Sequence, residues 1–516
     1  MSRRWFLRVG VLALCSTFLW GCKHKDAKEE EKQIVTWYIR GEDEELYENL
    51  KGIKEIEKAT GTDIQFIVAP NDGEDAYKLM LSSGKLPDVI SWSYISYANG
   101  NGVNQLYNDG VAIDLTEYVK EYAPNLLEIY EKRPEIRREV YTFDDKMIYF
   151  PSINPLQREE EWYRMCYAGP IIRKDWLEKL GLEIPQNIDD WYTVLKAFKE
   201  KDPNGNGMED EIPFDGKGIS IFAPSFGVLG SFYINSDSTV SFGYIEQSYK
   251  EYLETMNAWY AEGLLSKSSF ALSNKWTDAN IINNVSGSFY GLDNAWRYYL
   301  PSLQAKDETA DFVAVPYPMA EDGRRYVGRS ELVTHIRKAV TIVTSQCKNP
   351  EAVVRLIDYF YSEEGTNLLT WGIEGETYEV VDGEKRLLPE ALEFGDDKYM
   401  KLHRYAIAHN DFPKYDGETV LLQMYPSEQL EAEMIWSDFD GSLIYPPNIC
   451  FTSEENDVVS NIMTDMNAYI EEMTRKYITG EEELSTFDNF VYNVKKMGIE
   501  KVLDIYQKNY DLYRQK

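Results

Sequence analysis

The sequence predicts an α/β fold, on the order of its first elements, the β-branched character of its strand-like runs and a length that leaves room for several domains. Gln33-Ile34-Val35-Thr36-Trp37-Tyr38 is a short β-rich run. Glu44 to Lys58 follows with Leu46, Leu50, Ile53 and Ile56 three or four residues apart, the spacing of one helix face. Asp63 to Ala69 reads as a second strand, and Leu79 and Leu81 end a second helical stretch. Leu86-Pro87-Asp88-Val89-Ile90 reads as a third strand, running into Ser91-Trp92-Ser93-Tyr94. Strand, helix, strand, helix, strand is the order that builds a parallel sheet covered by helices. Ligands meet such sheets at the loops beyond the carboxyl ends of the strands. Trp37-Tyr38 and Trp92-Ser93-Tyr94 both fall at positions of that kind.

Helix boundaries are written clearly further along. Ile188-Asp189-Asp190-Trp191 opens a helix with acidic residues at its start, and Ile188, Trp191, Leu195 and Phe198 share a face. Asn349-Pro350-Glu351 is an N-cap followed by proline in the first turn. Val353, Leu356, Ile357 and Phe360 form the apolar face there, and Gly365 is expected to close the helix. From Thr486 onward one or two amphipathic helices carry Phe487, Phe490, Val494, Val502 and Ile505, read as packing residues.

Composition narrows the function. The 516 residues hold 87 Asp and Glu against 54 Lys and Arg, a formal charge of −33. Such a field repels phosphate backbones and argues against a nucleic-acid protein. The 38 Tyr, 12 Trp and 21 Phe are the departure from ordinary usage. Tyr and Trp join an apolar ring to a polar tip, which suits amphipathic partners such as sugars, although a Tyr-rich core would give the same counts.

The N-terminus reads as an export signal. Arg3, Arg4 and Arg8 precede the apolar run Val9–Leu19. At about 1.5 Å per residue that run cannot cross a hydrocarbon layer of about 30 Å. The segment ends Leu19-Trp20-Gly21-Cys22, similar to a bacterial lipobox with Cys22 as the lipidated residue and Trp20 a departure from the pattern. Residues 1–21 are thus expected to be a signal peptide. Residues 22–32, almost wholly polar, are expected to be a tether holding the protein at the outer face of the membrane. Beyond Cys15 and Cys22 only Cys166, Cys347 and Cys450 remain, too few for a disulfide scaffold.

Asp202-Pro203-Asn204-Gly205-Asn206-Gly207-Met208-Glu209-Asp210-Glu211 is the sharpest local motif. Oxygen side chains fall at loop positions 1, 3, 5 and 9 with glycine at 6, the front half of an EF-hand calcium loop. Met208 would contribute its backbone carbonyl. Pro213 occupies the place of the closing acid, which Glu211 could supply two residues earlier. Hard oxygen ligands favour Ca²⁺ over zinc, in a structural role. The alternative is an Asx-rich turn that binds nothing. No catalytic motif stands out: His24, His335, His403 and His409 have no metal-ligand spacing, and no GxSxG, Walker A or GxGxxG occurs in a strand-to-helix context. No catalytic residue is nominated.

The lipobox, SSGKLPDVI, YNDGVAIDLTEYV, IIRKDWLEKLGLEIPQNIDDWYTVLKAFKEKDPNGNG and WGIEGETY together resemble the lipoprotein extracellular solute-binding proteins of ABC sugar importers, in their large oligosaccharide-binding branch. The similarity runs over most of residues 33–380. It implies a two-lobed, periplasmic-binding-protein-like α/β fold whose hinge closes on ligand in a cleft, delivery to a permease, and no catalysis. Chain crossings would lie near Ile148–Ile153, near Asp311–Pro318 and after Thr366. Lobe 1 would then comprise 33–150 plus 313–370, and lobe 2 151–312 plus 371–516. Calcium-binding members similar to the alginate-binding proteins imply Asp202, Asn204, Asn206, Met208, Asp210 and Glu211 as the ligand set. Trp92 and Trp296 resemble the cleft aromatics of maltose-type binding proteins.

A sugar ring needs flat aromatics beside polar groups. The residues expected at the cleft are Trp37, Arg40, Trp92, Tyr94, Asp293, Trp296, Arg297, Trp371 and Tyr378, each Trp having a core position as its alternative. The expectation is a monomeric, lipid-anchored carrier of a carbohydrate. The competing readings are an exported carbohydrate-active enzyme and the same fold binding a peptide or another solute.

Overall fold

The computed structural model describes residues 33–515, apart from 41–43, 70–72, 93–101, 154–165, 230, 271–274, 329–335, 394–399, 407–411, 416–417, 448 and 450. The signal peptide, the tether with Cys22, and Tyr94 therefore lie outside the described residues. In chain order the described strands are β1 (Gln33–Arg40), β2 (Thr62–Ala69), β3 (Val89–Trp92), β4 (Phe150–Ile153), β5 (Ala168–Arg173), β6 (Phe232–Ile234), β7 (Val240–Phe242), β8 (Ser288–Leu292), β9 (Phe312–Ala314), β10 (Ile336–Val343), β11 (Tyr378–Val381), β12 (Glu384–Leu387) and β13 (Lys414–Tyr415).

Two sheets organise two lobes. The first is six-stranded, ordered β13-β4-β10-β3-β1-β2. β1 lies parallel to β2 and β3, with Trp37 opposite Phe66 on one side and Val89 on the other. β10 runs antiparallel between β3 and β4. Asp88 fastens the entry to β3: its carboxylate accepts from the Thr36 amide at 2.9 Å and the Thr36 hydroxyl at 2.7 Å. β3 and β4 are buried throughout, as strands covered by helices on both faces must be. The expected helix over 44–58 forms as two, Glu44–Glu48 and Lys51–Thr60, separated at Asn49-Leu50. The second piece lies so close to its neighbours that a Cβ on Gly52 would sit 2.5 Å from the carbonyl oxygens of Leu368 and Tyr405.

The second sheet is three-stranded and antiparallel, ordered β8-β5-β9. Gly169 of β5 leaves room for Trp436, whose indole a Cβ there would meet at 2.4 Å; the Trp436 N–H donates to the Pro170 carbonyl at 3.1 Å. The helix Ile188–Glu200 buries Trp191, Val194, Leu195 and Phe198. Its cap is Asn187, which accepts from the Asp190 amide at 3.0 Å, while Asp190 turns back to accept from the Gln186 amide. Three helices, Ser453–Thr479, Phe487–Met497 and Ile499–Gln515, complete this lobe, the first opened by a Thr452–Glu455 capping box.

The two cores fix the lobe boundaries and move two of the expected ones. The first core runs from Val35 to Ile153 and from Ile336 to Leu369, with Phe412. The second runs from Cys166 to Val327 and from Ala432 to Val502. The return expected at 312/313 falls inside the second sheet, because β9 pairs with β5; the chain rejoins the first lobe only at β10. The described residues of 371–415, expected in lobe 2, stay beside lobe 1. Phe412 is stacked in its core and β13 pairs with β4. Gly365 does not close the helix Pro350–Tyr361 either. Its amide donates to the Ser362 hydroxyl at 3.0 Å inside the first turn of the next helix, Glu363–Thr370.

Candidate functional site

A cavity of about 1220 Å³ lies in the second lobe, against β8 and the stretch that leads back to the first lobe through Tyr317, Val327 and Gly328. Two glycines make it. Gly216, at φ 85°, lets the Thr277 hydroxyl approach to 2.8 Å of where a Cβ would stand. At Gly218 a Cβ would fall 2.1 Å from that of Tyr290. The 3-10 helix Gly218–Phe226 can therefore lie directly on β8 and on the helix Lys275–Ile282, forming one wall. Tyr249 and Tyr252 of the helix Gln247–Ala261, with Ile470, Glu471 and Thr474 of Ser453–Thr479, form another.

Rings dominate the lining: Tyr244, Tyr290, Tyr299 and Phe270 are partly exposed to it, while Tyr249, Tyr252, Tyr317 and Phe289 are buried behind them. Most of the hydroxyls are anchored. Tyr299 donates to Asp278 at 2.7 Å, Tyr317 to the Ala168 carbonyl at 3.0 Å and Tyr252 to the Ile219 carbonyl at 3.3 Å. Burial raises the Tyr299 phenol well above its ordinary value, and the hydrogen bond and charge of Asp278 add to this. Burial likewise raises Tyr244, Tyr249 and Tyr252, so these side chains are neutral at physiological pH. Ser269, on the same wall as Phe270, has a buried hydroxyl with no protein partner. This is a surface for an amphipathic ligand, with ring faces for apolar patches and hydroxyls for polar ones.

None of the eight described residues expected from the sequence lines this cavity; the ninth, Tyr94, lies outside the described residues. Trp37 is fully buried: it stacks on Phe412, at 4.7 Å and 8°, with Phe360 at 5.8 Å packed against both rings, and its N–H donates to the Ser91 hydroxyl at 2.8 Å. No face is left for a ligand, which makes Trp37 a core residue. Trp92 is 3% exposed, with Tyr77 edge-on at 5.0 Å. Arg40 is exposed at the end of β1. Asp293 accepts from Gln429 at 2.8 Å, and Arg297 is exposed. Trp296 is half-buried, its N–H donating to the Phe312 carbonyl at 3.3 Å, and shares the helix Ala295–Gln304 with Tyr299. Trp371 and Tyr378 pack together at 5.7 Å in a small satellite core, with Tyr378 also bordering an acidic hollow of about 410 Å³. The cavity tyrosines were missed because, apart from Tyr249 and Tyr252 on one helix, they come from separate elements with no shared spacing. The only local signal was Gly216-Lys217-Gly218, two glycines that permit close approach.

The loop 202–211 curls around its own oxygens. The Asp202 carboxylate accepts from the amides of Asn206 and Gly207 at 3.1 and 3.0 Å, with Asp202 itself at φ 44°. Asn204 and Asn206 accept from the Asn206 and Met208 amides, and their carboxamides donate to Asp210 at 3.1 Å. Glu211 is 3% exposed and its Oε1 has no partner. Burial raises its pKa, and the nearby charges of Asp202 and Asp210 raise it further. Among the described residues no group of three or more His, Cys, Asp or Glu side chains is placed to hold a metal ion. The donor chemistry nevertheless fits a hard cation, since the oxygens are carboxylate, amide and carbonyl, and one buried carboxylate oxygen is unsatisfied.

Two α/β lobes joined by repeated chain crossings, with a ring-lined cavity beside one crossing, define a two-lobed binding protein. The chain belongs to the bacterial extracellular solute-binding proteins, whose family model matches residues 44–367. It is 27% identical over 486 residues, 90% of this chain and 87% of the relative, to the fructooligosaccharide ABC transporter substrate-binding protein FusA of Streptococcus pneumoniae serotype 4 (strain ATCC BAA-334 / TIGR4). It is 24% identical over 532 residues, 96% of each chain, to lipoprotein LipO of Bacillus subtilis (strain 168). The fold matches a solved EF-hand mutant of S. pneumoniae FusA with fructo-nystose, at TM-score 0.73 and 24% identity, covering 94% of this chain and all of that one. It also matches the alginate-binding protein AlgQ2 without calcium ion, at TM-score 0.69 and 21% identity, covering 93% and 98%.

Proposed function

We propose that this protein is the lipid-anchored, substrate-capturing component of an ABC importer for an oligosaccharide. The tyrosine-lined cavity carries the reading. It has the size of a ligand site, its rings suit the C–H faces of sugars, and the chain resembles a fructooligosaccharide-binding relative along most of its length. The lobes close on the ligand, and the permease reads the closed state. The protein acts as a monomer by binding and release, without chemistry on the glycan. Attachment through Cys22 at the extracellular face of the membrane is supported by the Leu19–Cys22 sequence and by the likeness to a lipoprotein.

Asp202, Asn204, Asn206, the Met208 carbonyl, Asp210 and Glu211 would hold one Ca²⁺, which would neutralise the loop's carboxylates. The unsatisfied Glu211 oxygen and the EF-hand of the FusA relative support this assignment.

A thermal-shift screen of the mature protein against oligosaccharides and peptides tests the function. Stabilisation by at least one oligosaccharide is expected, because a ligand of the native state raises Tm. Stabilisation by peptides alone, or turnover of a glycan, would overturn it.

A further inference from the structure

The likenesses leave open whether the ligand is charged, since they include a fructooligosaccharide-binding and an alginate-binding protein. Taking the cavity as the saccharide site, we propose that it selects uncharged sugars and rejects chains of uronic acids. The described charges in its lining are Asp278, Glu471 and Glu472 against Lys217 and Arg475. Arg475 is already engaged by Glu481, and Glu472 holds Lys476 at 2.5 Å. Asp278 is occupied by the Tyr299 hydroxyl. What remains is one exposed lysine, Lys217, facing an excess of acid.

A uronate carries a carboxylate on every ring, and a desolvated carboxylate needs a cation or a set of aimed donors, most effectively arginine forks. The partly exposed rings of Tyr244, Tyr290 and Tyr299 offer the reverse: apolar faces for sugar C–H groups and neutral phenol oxygens that can accept from sugar hydroxyls, with no net positive charge. The whole chain, at −33, adds repulsion at long range.

Calorimetry on the mature protein with neutral fructo- and malto-oligosaccharides and with oligogalacturonates and oligoalginates of equal length tests this. At pH 7 and low salt, the best neutral ligand is expected to bind at least 100-fold more tightly than any uronate. A uronate binding within tenfold of it would overturn the selectivity and leave the saccharide reading standing. Failure of every saccharide of both classes would overturn that reading and this inference with it. Tyr290→Phe and Tyr299→Phe, which preserve the packing, should each weaken the neutral ligand at least fivefold. Unchanged affinity in both would place the ligand outside the cavity and overturn the proposal.

Discussion

The Tyr299 hydroxyl donates to the Asp278 carboxylate across 2.7 Å, tying the helix Ala295–Gln304 to the helix Lys275–Ile282 at the cavity wall. Tyr299→Phe removes that donor and leaves Asp278, half-exposed, to water. A stability loss of about 1 kcal/mol is expected, the net worth of one such hydrogen bond. Urea unfolding followed by tryptophan fluorescence measures it; a change within error would mean the pair holds nothing together.

Gly169 is where β5 admits the indole of Trp436. Gly169→Ala places a methyl inside van der Waals distance of the ring and should cost about 1–3 kcal/mol through overpacking. The midpoint in urea should fall with an unchanged slope. A neutral substitution would mean that the strand and the helix Ser427–Ser437 are free to separate.

Trp37 stacked on Phe412 separates a core role from a cleft role. Trp37→Ala is expected to cost about 3–5 kcal/mol, the range for removing a buried aromatic. Trp37→Phe keeps the stack, loses the bond to Ser91, and should fold with unchanged ligand affinity. A folded Trp37→Phe protein with greatly weakened binding would return this residue to the site.

Calcium removal should be visible as stability. Excess chelator is expected to lower Tm, and Asp202→Ala should reproduce the loss and abolish the response to added Ca²⁺. Met208→Ala should change nothing, because that side chain is 57% exposed and only its carbonyl is assigned to the ion. Identical melting of treated and untreated wild type, with no metal by elemental analysis, would refute the assignment.

The sheet of the first lobe was legible because Val35, Ile39, Ile64, Val89 and Ile90 are the β-branched runs that strands buried on both faces require. The helix starting at Pro350 was legible because Asn-Pro-Glu is a local stop-and-start signal. Trp37 was misplaced for a local reason: β1 continues to Arg40, so the ring taken to stand beyond the strand lies within it, facing the core. The cavity was not legible, because it depends on Gly218 meeting Tyr290 and on helices far apart in the chain. The lobe boundary after 371 was hidden similarly, since Phe412 and β13 rejoin the first lobe through tertiary pairing alone.

A crystal structure of the mature protein with the tightest-binding neutral oligosaccharide tests the central claim most directly. Sugar density is expected in the second-lobe cavity, with a ring against Tyr290 or Tyr299. Density confined to another surface, such as the one bearing Asp293, Trp296 and Arg297, with this cavity empty, would contradict the account.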